Sequence, residues 1–339
     1  MDQGAVVLLR AQYDLPGVSL ISERSIACTR PFARIWIRDQ LARLQKLRLS
    51  RRFRFSDTVF AVSLSPQGTS AELALIVAAE RAREHYDRLA VLYRLFWGEH
   101  LHHGLFRSPA TKPRMAQVEL LRYCSSMARV QPASNVLDVG CGYGGTAIYL
   151  AEHYGCRCTG LTISAIQAEH ARKLSLRAQV DRLVQFVVCN AETHPFGSET
   201  YDLVWVMEAS EHFAERAAFF ERAAHAVRRG GTLLLTCWAV RAQTRKLERL
   251  AEVCACQRFQ TIAKYIAQVS NPGLRIRHCE ELTSKITSTW EVVSTRTLLL
   301  MPTLRLWPRP IREFAGALGQ LRQAFDSREL QYWLIVAGK

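Results

Sequence analysis

The chain has 339 residues, 49% of them hydrophobic and 22% charged, with 45 Lys/Arg against 30 Asp/Glu for a net charge of +15. That length accommodates one large domain or two, and the composition excludes a disordered or low-complexity chain. No stretch approaches the roughly 18 consecutive apolar residues of a membrane span, while the positive charge leaves nucleic acid, anionic lipid and acidic substrates open as partners.

Residues 1–60 hold 11 Lys/Arg and 5 Asp/Glu. This basic stretch has no sustained periodicity, so residues 1–70 are expected to form a poorly structured N-terminal extension. Its start, MDQGAVVLLRAQYD, lacks the basic region and long apolar run of a secretory signal. Residues 20–55 are Arg-rich and acid-poor, which has some character of an organelle transit peptide. Within them Ile35–Leu49 has the pattern of a short basic helix. LSPQGTS (Leu64–Ser70) is a linker by its Pro, Gly and Ser content. From Ala71, apolar residues recur at three- and four-residue spacing and predict a long helix.

The helix leads into WGEHLHHG (Trp97–Gly104), with three histidines and a glutamate in five residues. His100 and His103 have the spacing of one helix face, but His102 does not, and no H-E-x-x-H is present. No metal site is predicted. Nor do the ten cysteines make one: the C-x-C pairs Cys156/Cys158 and Cys254/Cys256 complete no zinc pattern. They read as reduced thiols of a cytosolic protein.

After a helix over Met115–Arg129 the pattern changes to short apolar strands alternating with helices. Strands are predicted at Asn135–Gly140, Cys156–Ile163, Leu183–Asn190, Tyr201–Glu208 and Arg228–Trp238. Helices lie between them at Gly144–Gly155, at Ser164–Val180 with Ser164 as N-cap, and through Arg229. Residues 241–288 read as a helical insertion before the sixth strand. Trp290–Leu300 and Leu330–Gly338 are the last two predicted strands, joined by a helix over Ile311–Phe325. The result is an α/β fold, a seven-stranded mostly parallel sheet with helices on both faces. Its parts are a helical cap (71–134), a core (135–240), the insertion (241–288) and C-terminal strands (289–339).

The first strand of the core runs into DVGCGYGG, formally Gly140-x-Gly142-x-x-Gly145. Glycines permit a tight turn and close approach of a ligand, and the following helix N-terminus favours an anion. Asp138, before the first glycine, suits a cationic amino group and would repel a pyrophosphate. A dinucleotide site also expects an acid about 20 residues on, where this chain reads GLTIS.

The whole string resembles motif I of S-adenosylmethionine-dependent methyltransferases. That resemblance implies the Rossmann-like class I methyltransferase fold, with S-adenosylmethionine as cofactor held by Asp138, Gly140, Cys141, Gly142 and Gly144. GLTISAIQAEHA is similar to the second-strand motif of the cyclopropane fatty-acid synthase and tocopherol methyltransferase groups, which implies cofactor contacts from Thr162, Ile163 and Gln167. CNAETHPF resembles the adenine-binding motif, with Asn190 in place of the usual Asp and Ala191 after it. WVMEASEHF resembles the fourth-strand motif of the tocopherol group, which implies a cofactor contact from Glu208. Upstream, HYDRLAVLYRLFWGEHLHHGLF resembles the segment before motif I in γ-tocopherol C-methyltransferases and related small-molecule methyltransferases, which implies cofactor contacts from Tyr86 and His102 and a lid built on WGEHLHHG. The resemblance runs from about Arg81 onward, is strongest through Trp238, and is absent before residue 75.

Methyl transfer from a sulfonium is an in-line displacement that asks the protein to orient the acceptor and exclude water. A base helps if the acceptor is a phenol or an ammonium. Glu208, His212 and His103, with Glu211, are the candidates. The expected acceptor is a small lipophilic or aromatic molecule, a tocopherol- or quinol-like phenol, methylated on carbon or nitrogen. A cyclopropane-synthase-like lipid modifier is the alternative. A nucleic-acid methyltransferase is disfavoured, since MEAS stands where such enzymes carry Asn/Asp-Pro-Pro-aromatic, and no specific nucleic-acid partner is expected. The expected compartment is the cytoplasm, with peripheral membrane contact allowed.

Overall fold

A computed structural model describes residues 6–10, 59–63, 70–108, 110–304 and 307–339. The chain divides into two units, Met1–Leu73 and Ala74–Lys339. In the first, β1 (Val6–Arg10) and β2 (Val59–Ser63) form an antiparallel pair with Val6 opposite Ser63. Both are short Val-containing runs, too brief to register as a periodic pattern. The expected helix Ile35–Leu49, the Arg-rich stretch 20–55 and linker residues 64–69 lie outside the described residues.

Two helices precede the alternation, α1 (Ser70–Phe96), which lies in the second unit from Ala74 on, and α2 (Pro113–Ala128). The alternation runs β3 (Asn135–Val139), α3 (Gly145–Tyr154), β4 (Arg157–Thr162), α4 (Ala165–Arg177), β5 (Val184–Val188), β6 (Tyr201–Met207), α5 (Arg216–Ala226) and β7 (Val227–Val240). Ser164 caps α4 as expected, its hydroxyl accepting from the Gln167 amide at 3.1 Å. The rest is α6 (Arg245–Val253), α7 (Ile262–Ser270), β8 (Arg275–Glu281), α8 (Thr283–Ile286), α9 (Ser288–Leu304), α10 (Arg309–Asp326) and β9 (Leu330–Gly338).

Two expectations fail here. Residues 241–288 are not wholly helical, because RIRHCEE forms β8. As an edge strand it alternates exposed and half-buried positions and carries charge rather than an apolar run. Conversely, Trp290–Leu300 is not a strand but part of α9. Its valines and threonines have strand propensity. Yet buried Trp290, Val293 and Thr297 fall at three- and four-residue spacing, the stripe of a helix packed on a core.

The seven strands lie in the order β5-β4-β3-β6-β7-β9-β8, with β9 antiparallel to both neighbours and β3–β7 parallel. Successive side chains serve opposite faces. On β6, Leu203, Trp205 and Met207 pack into one core while Val204 and Val206 pack into the other. The chain leaves β3 toward β4 and β5, then returns to β6 on β3's other side. Ligand sites of such sheets open at this reversal, beyond the strands' carboxyl ends.

The turn after β3 depends on Gly144, the N-cap of α3, at φ +80°. A Cβ there would lie 2.7 Å from the Phe186 ring and 2.9 Å from Ala171. Gly144→Ala is expected to destabilise the protein by about 1–3 kcal/mol, from left-handed strain and overpacking. Urea denaturation measures this, and an unchanged midpoint would contradict the packing described.

A candidate methyl-transfer cleft

A cleft opens at the reversal point. The glycine loop supplies Gly140, Cys141 and Gly142 to its lining, and Asp138 lies beneath them at the end of β3. Thr162, Ile163 and Gln167 come from the end of β4 and the start of α4, and Asn190 and Ala191 follow β5. Glu208 and His212 follow β6, and Tyr86 and His102 close the cleft from the N-terminal side. Three expected site residues are elsewhere. Gly144 faces Phe186, and the neighbouring Gly145 lines the cleft instead. Glu211 is buried, one oxygen accepting the Trp238 amide at 2.7 Å, and burial pushes its carboxyl up to about 7. His103 lies behind the cleft wall, its ring among Trp238, Trp290, Phe325 and Tyr332.

His103 nevertheless acts on the cleft, because it holds Glu208. The Glu208 carboxylate accepts the His103 backbone amide at 2.8 Å, its ring Nδ1–H at 2.7 Å and the Tyr332 hydroxyl at 2.8 Å. Burial alone would raise this carboxyl, but the imidazole and its hydrogen bonds outweigh burial and hold it below the usual range. Glu208 sits at φ +51°, a left-handed conformation uncommon for a non-glycine residue.

A second arrangement crosses the cleft. The Tyr86 hydroxyl lies 2.9 Å from His212 Nε2, and His212 Nδ1 lies 3.1 Å from the Ala255 carbonyl. A carbonyl only accepts, so Nδ1 carries the proton and Nε2 accepts from Tyr86. Burial drives His212 down to about 4, with Arg216 and Arg81 adding to the effect, so the imidazole is neutral at physiological pH.

Beside these, Thr162 Oγ1 donates to Gln167 Oε1 at 2.7 Å and accepts the Ser164 amide at 3.1 Å. Asn190 Oδ1 accepts the Glu192 amide at 2.9 Å, which fixes the turn after β5. Among the described residues no group of three or more His, Cys, Asp or Glu side chains is placed to hold a metal ion. Also among them, no helix is long and apolar enough to cross a membrane.

Comparison with known proteins places this architecture. The model of the mycolic acid cyclopropane synthetase family matches residues 74–335. The chain belongs to that family. It is an S-adenosylmethionine-dependent methyltransferase. A chloroplastic tocopherol O-methyltransferase of Arabidopsis thaliana is 25% identical over 280 residues, 74% of this chain and 80% of the relative. A probable tocopherol O-methyltransferase of Oryza sativa subsp. japonica is 33% identical over 165 residues, 46% of each chain. A cyclopropane synthase of Mycobacterium tuberculosis shares the fold, with a TM-score of 0.70 at 20% identity over 77% of this chain and 98% of that one.

The cleft of this family member fits its cofactor. Asp138 Oδ2 is buried without a partner, and burial pushes the carboxyl up to about 7, a cost that a cationic amino group would relieve. When bound, the cofactor supplies a methyl group already activated on sulfur. Sequence reading missed Tyr332, Gln117 and the separate place of His100. Gln117 could not have been found from spacing, because its value is purely tertiary. Its amide Nε2 lies 3.2, 2.7 and 3.3 Å from the carbonyls of Trp97, His100 and His102, and so fixes the whole segment.

Proposed function

We propose that this enzyme transfers the methyl group to a small, uncharged, aromatic acceptor, a tocopherol- or quinol-like phenol. The observation that carries this is the absence of any Lys or Arg among the described residues lining the cleft. An acceptor bearing a phosphate or carboxylate would be buried without a cation to pair it. The tocopherol relatives point the same way. A lipophilic phenol resides in membranes, so peripheral contact with a membrane surface accompanies this reading.

In this reading Asp138, Gly140, Cys141, Gly142, Thr162, Ile163, Gln167, Asn190 and Ala191 hold the cofactor. Glu208, Tyr86 and His102 flank the end that carries the methyl group. The acceptor's hydroxyl meets Tyr86, and Tyr86 passes a proton to His212 Nε2. The resulting imidazolium is steadied by the Ala255 carbonyl on Nδ1. Loss of the phenolic proton sends charge into the ring, toward the carbon that takes the methyl; that carbon then releases its own hydrogen as a proton and the oxygen regains one, which restores the aromatic ring. Glu208 and His103 set the wall against which the acceptor is oriented, and neither removes the proton.

Purified protein and radiolabelled cofactor should methylate phenolic quinols in preference to sarcosine, geranyl diphosphate and unsaturated phospholipid. Label appearing in phospholipid alone would replace this reading with lipid modification, and label in the charged acceptors would refute the argument from the missing cations.

A further inference from the structure

One buried charge takes no part in the proton path. Arg216 is the first residue of α5 and is 4% exposed. Both circumstances work against a cation. Burial strips it of water, and the first turn of a helix presents the positive end of the dipole. Among the described residues its hydrogen bonds go to main-chain carbonyls alone. Nε donates to Ser210 at 2.6 Å, Nη2 to Glu211 at 2.7 Å and Nη1 to Arg258 at 3.1 Å. Arg216 is not among the residues that line the cleft.

These three carbonyls bracket His212. Ser210 and Glu211 are the two residues before it in the short turn after β6. Arg258 lies three residues beyond Ala255, whose carbonyl receives His212 Nδ1–H at 3.1 Å. The Gln257 amide joins the same two segments by donating to the Glu211 carbonyl at 2.7 Å. α5 gives the guanidinium a rigid base, since Phe219 and Phe220 are wholly buried. A planar fork with donors at fixed angles holds two segments in register where a flexible amine does not.

We propose that Arg216 is the positioning residue of His212, an inference that rests on the reading of His212 as the base. The guanidinium locks the turn that carries the imidazole to the segment whose carbonyl takes Nδ1–H. It thereby fixes the tautomer whose Nε2 accepts from Tyr86. The positive charge has a second effect, since it opposes a proton on the resting ring. Burial is what chiefly drives His212 down to about 4, and Arg216 and Arg81 act in the same direction. His85 and Tyr86 of α1 also stand beside the ring, while Glu208, Glu211, Cys254 and Cys256 act on Tyr86.

Arg216→Met keeps most of the side chain's length and removes its charge and donors. Its kcat on a phenolic quinol should fall about 10- to 100-fold, the scale of a misplaced catalytic group, with S-adenosylhomocysteine affinity within about twofold. The fall of kcat on the acid side should move to higher pH, because a cation that disfavours the imidazolium is gone. Nitrogen-15 spectra read the ring directly, with His212 assigned by its absence from His212→Ala. They should show its proton confined to Nδ1 in the unaltered protein and shared between Nδ1 and Nε2 in Arg216→Met. Arg216→Lys retains the charge and loses the fork. Its acid-side fall should stay close to the original pH while kcat recovers only in part. An unaltered tautomer with an unmoved acid-side fall in Arg216→Met overturns the proposal, since a general loss of stability lowers the amount of folded enzyme and changes neither. Should Arg216→Met not fold, Arg216→Lys decides, and a proton still confined to Nδ1 with full kcat overturns the proposal. The spectra need no turnover. If His212→Ala keeps its activity, the reading of His212 as the base falls, and the tautomer still shows whether Arg216 fixes the ring.

Discussion

His212→Ala is expected to lower kcat on a phenolic acceptor by about 10²- to 10⁴-fold, the usual worth of a positioned base, and to change S-adenosylhomocysteine affinity little. Tyr86→Phe should lower kcat similarly, because the proton reaches His212 through the Tyr86 hydroxyl in this arrangement. The pH profile separates this role from a structural one. His212 is pushed down to about 4 by burial, against the opposing pull of the Ala255 carbonyl. The groups that act on it are Arg216 from α5 and Arg81 from α1, with His85 and Tyr86 of α1 beside it, while Glu208, Glu211, Cys254 and Cys256 act on its partner Tyr86. The active form is the neutral imidazole, so kcat should stay level as pH falls to about 5 and drop below that, with the limb absent from the alanine variant. An imidazole of such low basicity could serve because a bound sulfonium would supply a positive charge that favours the phenolate and so eases loss of the phenolic proton. A loss under tenfold, or an unaltered acid limb, would remove His212 from the proton path.

The largest expected stability effect belongs to His103. His103→Ala takes two things from the interior, the ring N–H on Glu208 and a ring packed against Trp238, Trp290, Phe325 and Tyr332. Removing one partner of a buried carboxylate costs about 3–5 kcal/mol, chiefly because the charge left behind is uncompensated. His103→Phe restores volume but not the donor, so it should remain destabilised. Adding Glu208→Gln removes the stranded charge and should return part of the loss, a coupling that chemical denaturation of the four proteins in a double-mutant cycle measures. Additive losses would mean that Glu208 finds its stability elsewhere, from the His103 amide and Tyr332 alone.

The parts of the fold that could be read in advance are those whose cause is local. DVGCGYGG announces a tight loop because its glycines are required by backbone geometry. LQYWLIVAG reads as a buried strand because, Gln331 apart, it is a continuous apolar run. β8 escaped because RIRHCEE owes its strand state to the free edge of β9 and not to its own residues. Trp290–Leu300 misled because its β-branched residues favour one state and its burial pattern another, and the core decided. In the site, Gly144 and Gly145 differ by one residue, yet one faces Phe186 and the other the cleft. A shift of that size lies within the uncertainty of any sequence-based helix start. His103 was singled out as a reacting group, but its contact with Glu208 spans 105 residues of sequence. Only the folded chain shows that it stands behind the wall.

The place of β9 has a consequence for the order in which the molecule is assembled. It is the last strand in sequence, yet it lies between β7 and β8, so β8 has no neighbour in the sheet until β9 is inserted. Tyr332, whose hydroxyl secures Glu208, travels on that same strand. The glycine loop and its surroundings, built from residues 135–212, can form early from contacts close in sequence, whereas the wall behind the acceptor waits for a pairing across about a hundred residues or more, a slow step because of its loop-closure cost. Cofactor affinity should therefore appear during refolding before turnover does.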